Sequence, residues 1–297
     1  MNGQAGIYIH AGAHRTGTSS FQACLSLNRA RLAAAGFDAA YPGRDGIIDG
    51  SLRLRLPNPR HRRSPDAAWV ATLREELARH QSGPRRGLIL SEENIPGRMF
   101  HFYQGQFYPA ARRRIGVLAE SLPGPVEHLL YVIRPYAALF TSAYRKRAED
   151  NPVPDFSEIG EGMVGVDRGW PELLTILQRR LRPKRFTVID YSARGSSCDL
   201  LTRLLPGDGV ADLQEPEAQL NLSASDTALR ALQARYRAGE KLERAEWQAV
   251  IADYAGADPG NRPEFAAFTP AQAAILAARY ASDLARIRVM ENIKFID

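Results

Sequence analysis

The chain has 297 residues, of which 44% are hydrophobic, and a formal net charge of +6. That length can bury a full core, and the absence of any apolar run of 18 residues argues against a membrane-spanning helix. Only two cysteines occur, Cys24 and Cys198, and neither has a neighbour at metal-ligand spacing, so the sequence predicts no disulfide framework and no thiolate zinc site. The N-terminus lacks the features of a secretory signal, and we therefore expect a cytoplasmic protein.

The charge is distributed unevenly along the chain. Residues 1–150 contain 21 Lys and Arg against 12 Asp and Glu, whereas the remainder contains 18 against 21. The first half is therefore basic, which indicates an anionic ligand; a nucleotide, a polysaccharide or a nucleic acid would each fit that description.

The first predicted elements are a strand, a tight loop and a helix. Residues 6–10 form a short apolar and aromatic run, typical of a buried parallel strand. From Thr18 onward, apolar residues recur at offsets of three, four and seven, and Gly36 stands where the helix would end.

Helical and strand patterns alternate through the next part of the chain. The predicted helices cover residues 65–80, 105–120, 136–147, 171–181 and 198–205, and the predicted strands cover 87–90, 127–133 and 185–189. This alternation predicts an α/β fold with a central parallel sheet flanked by helices.

The last third is predicted to be helical. Ser223 with Asp226 begins one helix, over 223–238, and Thr269 before Pro270 begins another, over 270–290. We predict one domain over residues 1–297, with its sheet core at about 6–205 and a helical part at about 206–297. An arginine-rich segment, 52–63, is predicted to be a mobile surface loop, with binding of an anionic acceptor as the alternative.

A phosphate-loop pattern joins the first strand to the first helix. Gly12 and Gly17 let the backbone turn so that successive amides point inward, and the helix adds the positive end of its dipole. Kinase-type loops require lysine after the second glycine. Thr18 occupies that position, which disfavours ATP chemistry of that kind.

The string HAGAHRTGTSSFQ, from His10 to Gln22, resembles the 5′-phosphosulfate loop of sulfotransferases that use 3′-phosphoadenosine 5′-phosphosulfate, with bacterial carbohydrate-type members the most similar. Arg15 stands where that family has lysine, and its planar guanidinium stays protonated. The resemblance implies binding of the donor by Gly12, His14, Arg15, Thr16, Gly17, Thr18 and Ser19.

A second signature lies about 120 residues further on. Arg134 ends a predicted strand, and Ser142 follows eight residues later on the next helix, as in the family's pair that holds the donor's 3′-phosphate. A strand-end arginine can meet a phosphate bidentately, and a helix hydroxyl can complete its acceptor oxygens. Such a pair would distinguish this donor from ATP.

The catalytic base has several candidates. The strand at 87–90 leads into Glu92 and Glu93, and ligands bind beyond the carboxyl ends of parallel strands. Glu92 is preferred by resemblance to bacterial members; a structural carboxylate at a helix start is the competing interpretation. Glu93, His14 and His10 remain open as alternatives.

These features predict transfer of a sulfuryl group to a carbohydrate or small-molecule hydroxyl. The reaction would leave adenosine 3′,5′-bisphosphate and need no metal ion, with Arg15 and the loop amides stabilising the developing charge. No nucleic-acid partner is expected. Two alternatives stay open: a phosphate-loop kinase or NTPase, and a member of the sulfotransferase family that binds the nucleotide without catalysis.

Overall fold

The predicted α/β architecture is confirmed. The computed structural model describes residues 6–43, 46–59, 67–207, 210–217, 224–256 and 263–297. Within these residues, six parallel strands form one sheet in the order β2-β3-β1-β4-β5-β6. The strands are β1 (Ile7–Gly12), β2 (Phe37–Ala40), β3 (Gly87–Ser91), β4 (Val126–Ile133), β5 (Arg185–Asp190) and β6 (Lys294–Ile296).

Helices connect the strands and cover both faces of the sheet. They are α1 (Thr18–Leu27), α2 (Arg29–Ala34), α3 (Ala67–Ala78), α4 (Ala111–Ser121), α5 (Tyr136–Ala148), α6 (Phe156–Val164), α7 (Trp170–Leu181), α8 (Ser197–Leu204), α9 (Asp226–Arg237), α10 (Arg244–Asp253) and α11 (Pro270–Arg288). Two 3₁₀ turns, Met99–Gln104 and Tyr191–Ala193, complete the described elements. No helix in the described ranges combines the length and apolar character needed to cross a bilayer.

The core lies in two layers because the central strands are buried on both faces. On β1, Ile7 and Ile9 pack into a cluster with α3, α4, α5 and α7, whereas Tyr8 faces the cluster around α1 and α8. Strand β4 is likewise buried on both faces, as parallel strands between two helical layers must be. Because these strands run parallel, the carboxyl ends of β1, β3, β4 and β5 lie at one edge of the sheet.

The C-terminal part differs from its predicted form. Strand β6 pairs in parallel with β5, so the sheet extends beyond residue 205 and the region 206–297 is not purely helical. Three residues are too few to give a periodic pattern, which explains why β6 escaped prediction. Strand β2 and helices α6 and α10 were also not predicted.

Of the two N-caps predicted for the C-terminal helices, the one at Thr269 is confirmed and the one at Ser223 is not. Ser225, rather than Ser223, caps α9 by accepting a hydrogen bond from the amide of Ala228 at 3.1 Å; Ser223 lies outside the described residues. At α11, Thr269 accepts from the amide of Gln272 at 3.3 Å, with Pro270 in the first turn, as predicted.

Candidate functional site

The loop between β1 and α1 turns tightly upon itself. Arg15 and Gly17 both have left-handed backbone conformations, with φ of 66° and 82°. The hydroxyl of Thr16 donates to the carbonyl of Ala13 at 2.6 Å, and a Cβ at Gly12 would lie 2.8 Å from that hydroxyl. A non-glycine residue in the left-handed region carries strain, which at Arg15 is held by the surrounding contacts.

The N-terminus of α1 has no side-chain cap. Its N-cap is Gly17, which has no side chain to satisfy the first-turn amides, and no acidic residue lies in that turn. Thr18 and Ser19 are both buried there, and the Thr18 hydroxyl oxygen has no hydrogen-bond partner. A helix N-terminus without a side-chain cap, the helix dipole and an unpartnered hydroxyl together suit an anion.

Arg194 supports the loop from behind, and sequence reasoning missed it. Its guanidinium donates to the carbonyl of Thr16 at 2.8 Å and to that of Gly17 at 3.1 Å. Because C=O and N–H point in opposite directions across a trans peptide, these bonds turn the amides of Gly17 and Thr18 away from Arg194. The available signal was its position just beyond the end of β5, which resembles that of Arg134 beyond β4.

This support makes Gly17 intolerant of a side chain. A Cβ there would lie 2.7 Å from Nε of Arg194, whereas at Gly36, with a similar φ of 87°, nothing lies within 4 Å. We expect Gly36→Ala to lower the free energy of unfolding by about 1 kcal/mol, the cost of left-handed backbone. Gly17→Ala should lower it by about 2–4 kcal/mol because the Arg194 hydrogen bonds are lost as well. Urea unfolding measures both; equal losses would contradict the role given to Arg194.

The second signature meets the loop directly. Arg134 lies just beyond β4 and donates from Nη1 to the carbonyl of Arg15 at 2.8 Å. Its guanidinium carbon lies 5.0 Å from the centre of the Tyr191 ring, and its Nε is buried without a partner. Burial lowers the pKa of Arg134, and the neighbouring Tyr191 opposes that shift.

Arg15 joins the two predicted halves of the site. Its Nε donates to the hydroxyl of Ser142 on α5 at 3.2 Å. The sequence assigned these residues to opposite ends of the nucleotide, yet the guanidinium of Arg15 reaches the residue predicted for the 3′-phosphate. Residues 127 positions apart in the chain thus contact each other, and the loop after β1 meets the helix after β4.

A chain of hydrogen bonds connects Glu92 to the loop. One carboxylate oxygen of Glu92 accepts from both the amide and the side-chain Nδ2 of Asn94, at 2.8 and 2.9 Å. The Asn94 Oδ1 lies 3.0 Å from Nε2 of His14, and the Nδ1 of His14 lies 3.1 Å from the hydroxyl of Tyr108. Since Nδ2 donates to Glu92, Oδ1 of Asn94 accepts, and Nε2 of His14 donates to it.

This chain separates the roles of two candidate bases. Glu92, 7% exposed, borders a cavity of about 520 Å³, whereas His14, 3% exposed, is enclosed between Asn94 and Tyr108. Glu93 does not border that cavity. Of the four candidates, Glu92 is the one that lines this cavity.

His10 belongs to the core rather than to a ligand site. It is 1% exposed, its ring stacks on Phe21 at 3.8 Å between centroids, and Nδ1 lies 3.0 Å from the hydroxyl of Ser91. Burial, together with the charge of Arg194, lowers its pKa to about 3. The imidazole is neutral at ordinary pH and has no access to an acceptor.

The buried His10 makes stability depend on pH. The unfolded chain takes up a proton on this ring near pH 6.5, and the folded protein only near pH 3. The unfolded state therefore binds more protons between these values, and the free energy of unfolding falls as pH is lowered, by about 1.4 kcal/mol per unit. We expect His10→Gln to remove most of that contribution in urea unfolding at pH 6 and pH 5. Identical pH dependence in both proteins would contradict this.

The two cysteines, distant in sequence, lie together between α1 and α8. The Sγ atoms of Cys24 and Cys198 are 3.8 Å apart, and Glu215 completes a group whose ligand atoms lie within 4.8 Å of one another. However, both oxygens of Glu215 accept amide hydrogen bonds from the first turn of α8, at 2.8 and 2.7 Å. Burial raises the pKa of both thiols. The carboxylate thus acts as a helix cap beside two protonated thiols.

The sequence matches no model of a known protein family and no curated protein. The geometry of the site consists of an uncapped helix N-terminus, two arginines in contact at the loop, and a carboxylate beside a cavity.

Proposed function

We propose that the protein is a sulfotransferase that uses 3′-phosphoadenosine 5′-phosphosulfate. The observation that carries this proposal is the meeting of a lysine-free phosphate loop with Arg134 and Ser142, through the 2.8 Å and 3.2 Å contacts of Arg15. A loop for one phosphate group beside an arginine and hydroxyl for a second suits a nucleotide phosphorylated at two separate positions.

The residues present fit such a donor. The 5′-phosphosulfate would lie on the first-turn amides of α1, where the buried hydroxyl of Thr18 lacks a partner. The 3′-phosphate would meet Arg134, whose Nε is buried and unpartnered, and Ser142. Arg15, hydrogen-bonded to Ser142, would lie between the two groups and share its positive charge with both.

Glu92 is the proposed base. It would accept the proton of the acceptor hydroxyl while the acceptor oxygen bonds to sulfur and the bond from sulfur to the bridging phosphate oxygen breaks. The amides of α1 and Arg15 would stabilise the charge that develops on the departing bisphosphate. Asn94, held in turn by His14, would fix the Glu92 carboxylate by two hydrogen bonds to one oxygen.

The acceptor in this proposal is a carbohydrate or another small molecule, because the cavity beside Glu92 has the size of a small-ligand pocket, about 520 Å³. No nucleic acid or metal ion enters the proposed reaction. The unbridged thiols of Cys24 and Cys198 suit a reducing compartment, which supports a cytoplasmic location.

Transfer itself can be measured with sulfur-labelled donor and a panel of phenols, alcohols and sugars. We expect labelled sulfate on at least one acceptor, with formation of adenosine 3′,5′-bisphosphate in equal amount. Binding of the donor with no transfer to any acceptor would contradict the catalytic proposal and favour a nucleotide-binding member without activity.

A further inference from the structure

We propose that the acceptor carries an anionic group, such as a carboxylate or a sulfate, which binds at Arg55 and Arg98 in the cavity that Glu92 also borders. This inference rests on the proposed function and specifies its substrate class. The cavity lies beyond the carboxyl end of β3. It is lined by Leu54, Arg55, Leu56, Asn58, Pro59, Trp69, Glu92, Asn94, Gly97, Arg98, Phe100, His101, Pro109, Ala110 and Arg114.

The charges around this cavity favour an anion. Among the described residues that line it, Arg55, Arg98 and Arg114 are cationic, Glu92 supplies the one carboxylate, and His101 is the remaining titratable residue. Arg55 and Arg98 are exposed, and in the described ranges neither forms an ion pair within 4 Å of a carboxylate. Their charges are therefore available to a ligand.

Arg114 builds the wall that presents Arg55. Its guanidinium is buried and donates to the carbonyls of Leu56 and Pro57, at 3.1 and 2.5 Å, which fastens the arginine-rich segment to the site. It also donates to the carbonyls of Asn94 and Ile95, at 2.5 and 3.0 Å. Burial lowers its pKa to about 10, so the group stays charged at neutral pH.

The segment at 52–59 is consequently part of the site and not a bare surface loop. Leu52 and Leu56 are buried in the main core, and the indole of Trp69 donates to the carbonyl of Arg55 at 2.8 Å. The remaining arginines of the predicted loop, at positions 60, 62 and 63, lie outside the described residues. From the sequence, binding of an anionic acceptor is the alternative to a mobile surface loop at this segment. These contacts support that alternative.

The arrangement also orients the acceptor. An anion beside Glu92 would be repelled, whereas at Arg55 and Arg98 it would gain charge-assisted hydrogen bonds. The reacting hydroxyl can then lie at Glu92, with the ring or chain of the molecule against Trp69 and Phe100. An uncharged analogue of the same shape would lose the contribution of the two arginines.

Matched acceptors test this directly. Methyl glucuronide, its uncharged methyl ester and methyl glucoside 6-sulfate would be compared for binding by calorimetry in the presence of adenosine 3′,5′-bisphosphate, and for transfer with the labelled donor. We expect the affinity and the kcat/KM for the acid or the sulfate to exceed those for the ester at least tenfold. A tenfold difference is about what one charge-assisted hydrogen bond contributes to binding. Preference for the acid alone or for the sulfate alone identifies which anion the site takes.

Variants assign the preference to the two arginines. The double variant with Arg55→Ala and Arg98→Ala should reduce the preference for the acid or the sulfate over the ester at least fivefold. Its affinity for the bisphosphate should be unchanged. Arg53→Ala removes an exposed arginine of the same segment that does not line the cavity, and it should leave the preference intact. Equal use or equal binding of acid, sulfate and ester would overturn the inference. Failure of the wild-type protein to bind the bisphosphate would instead overturn the proposed function.

Discussion

Replacing Arg134 by alanine is expected to lower the affinity for adenosine 3′,5′-bisphosphate by about 50-fold and that for adenosine 5′-monophosphate by less than about threefold. A charged hydrogen-bonding group contributes about 1.5–3 kcal/mol, and only the first nucleotide has the 3′-phosphate that would receive it. Titration calorimetry with both nucleotides measures the two losses. The buried, unpartnered Nε of Arg134 is the atom on which this expectation depends.

Two controls separate recognition from support of the loop. Arg112→Ala removes an exposed arginine of α4, a helix that supplies neither phosphate-binding signature, and it should leave both affinities unchanged. Arg134 also donates to the carbonyl of Arg15, so some general loosening of the loop is expected in the Arg134 variant. If both nucleotides weaken equally, however, Arg134 acts through the loop alone and its assignment to the 3′-phosphate is wrong.

Replacing Glu92 by glutamine is expected to reduce kcat for sulfate transfer about 1,000-fold, within the range typical of a lost general base. Glutamine keeps an oxygen that can accept from Asn94, so the strand end should retain its structure. The affinity for the bisphosphate should change little, because Glu92 is connected to the loop through two intervening side chains, those of Asn94 and His14. Single-turnover assays with labelled donor measure the rate.

The adjacent carboxylate supplies the matched control. Glu93→Gln makes the same chemical change one residue further on, outside the cavity lining, and should leave kcat within about threefold of the wild-type value. A reversed result, with Glu93→Gln inactive and Glu92→Gln active, would assign the base to Glu93. Full activity in both variants would leave His14, a residue of the loop itself, as the remaining candidate.

The parts of the fold that the sequence predicted are those with local causes. The apolar patterns of the sequence predict four strands and most of the helices between them. The glycines placed between a strand and a helix predict the phosphate loop. Arg134 and Ser142 were found because both stand at a strand end or on the helix after it, and parallel strands bring such positions to one edge. These residues do approach the loop, through Arg15.

The contacts that organise the site could not be predicted because they join segments distant in the chain. Arg194 reaches the loop from 178 residues away, and Arg114 holds carbonyls near position 57. Apart from the position of Arg194 just beyond β5, neither contact leaves a periodic or local trace in the sequence. The direction of the Arg15 side chain depends on the same tertiary packing, so its contact with Ser142 was not foreseen either.

Burial excludes His10 from the candidate bases, and the sequence alone could not show this. His10 lies at the end of the first predicted strand, and histidine is a residue type that commonly serves in acid–base chemistry. Only the packed structure places its ring against Phe21 in the core. Asn94 shows the opposite case, since an unremarkable polar residue two positions after Glu92 connects that carboxylate to His14.

The measurement that tests the central claim most directly is a thermal-shift comparison of the wild-type protein with adenosine 3′,5′-bisphosphate and with ATP and magnesium. A ligand that binds only the folded state raises the midpoint of unfolding in proportion to the logarithm of its concentration over Kd. The site described here predicts the larger shift with the bisphosphate, because of Arg134 and Ser142. A larger shift with ATP and magnesium would contradict the sulfotransferase proposal and favour a phosphate-loop kinase or NTPase.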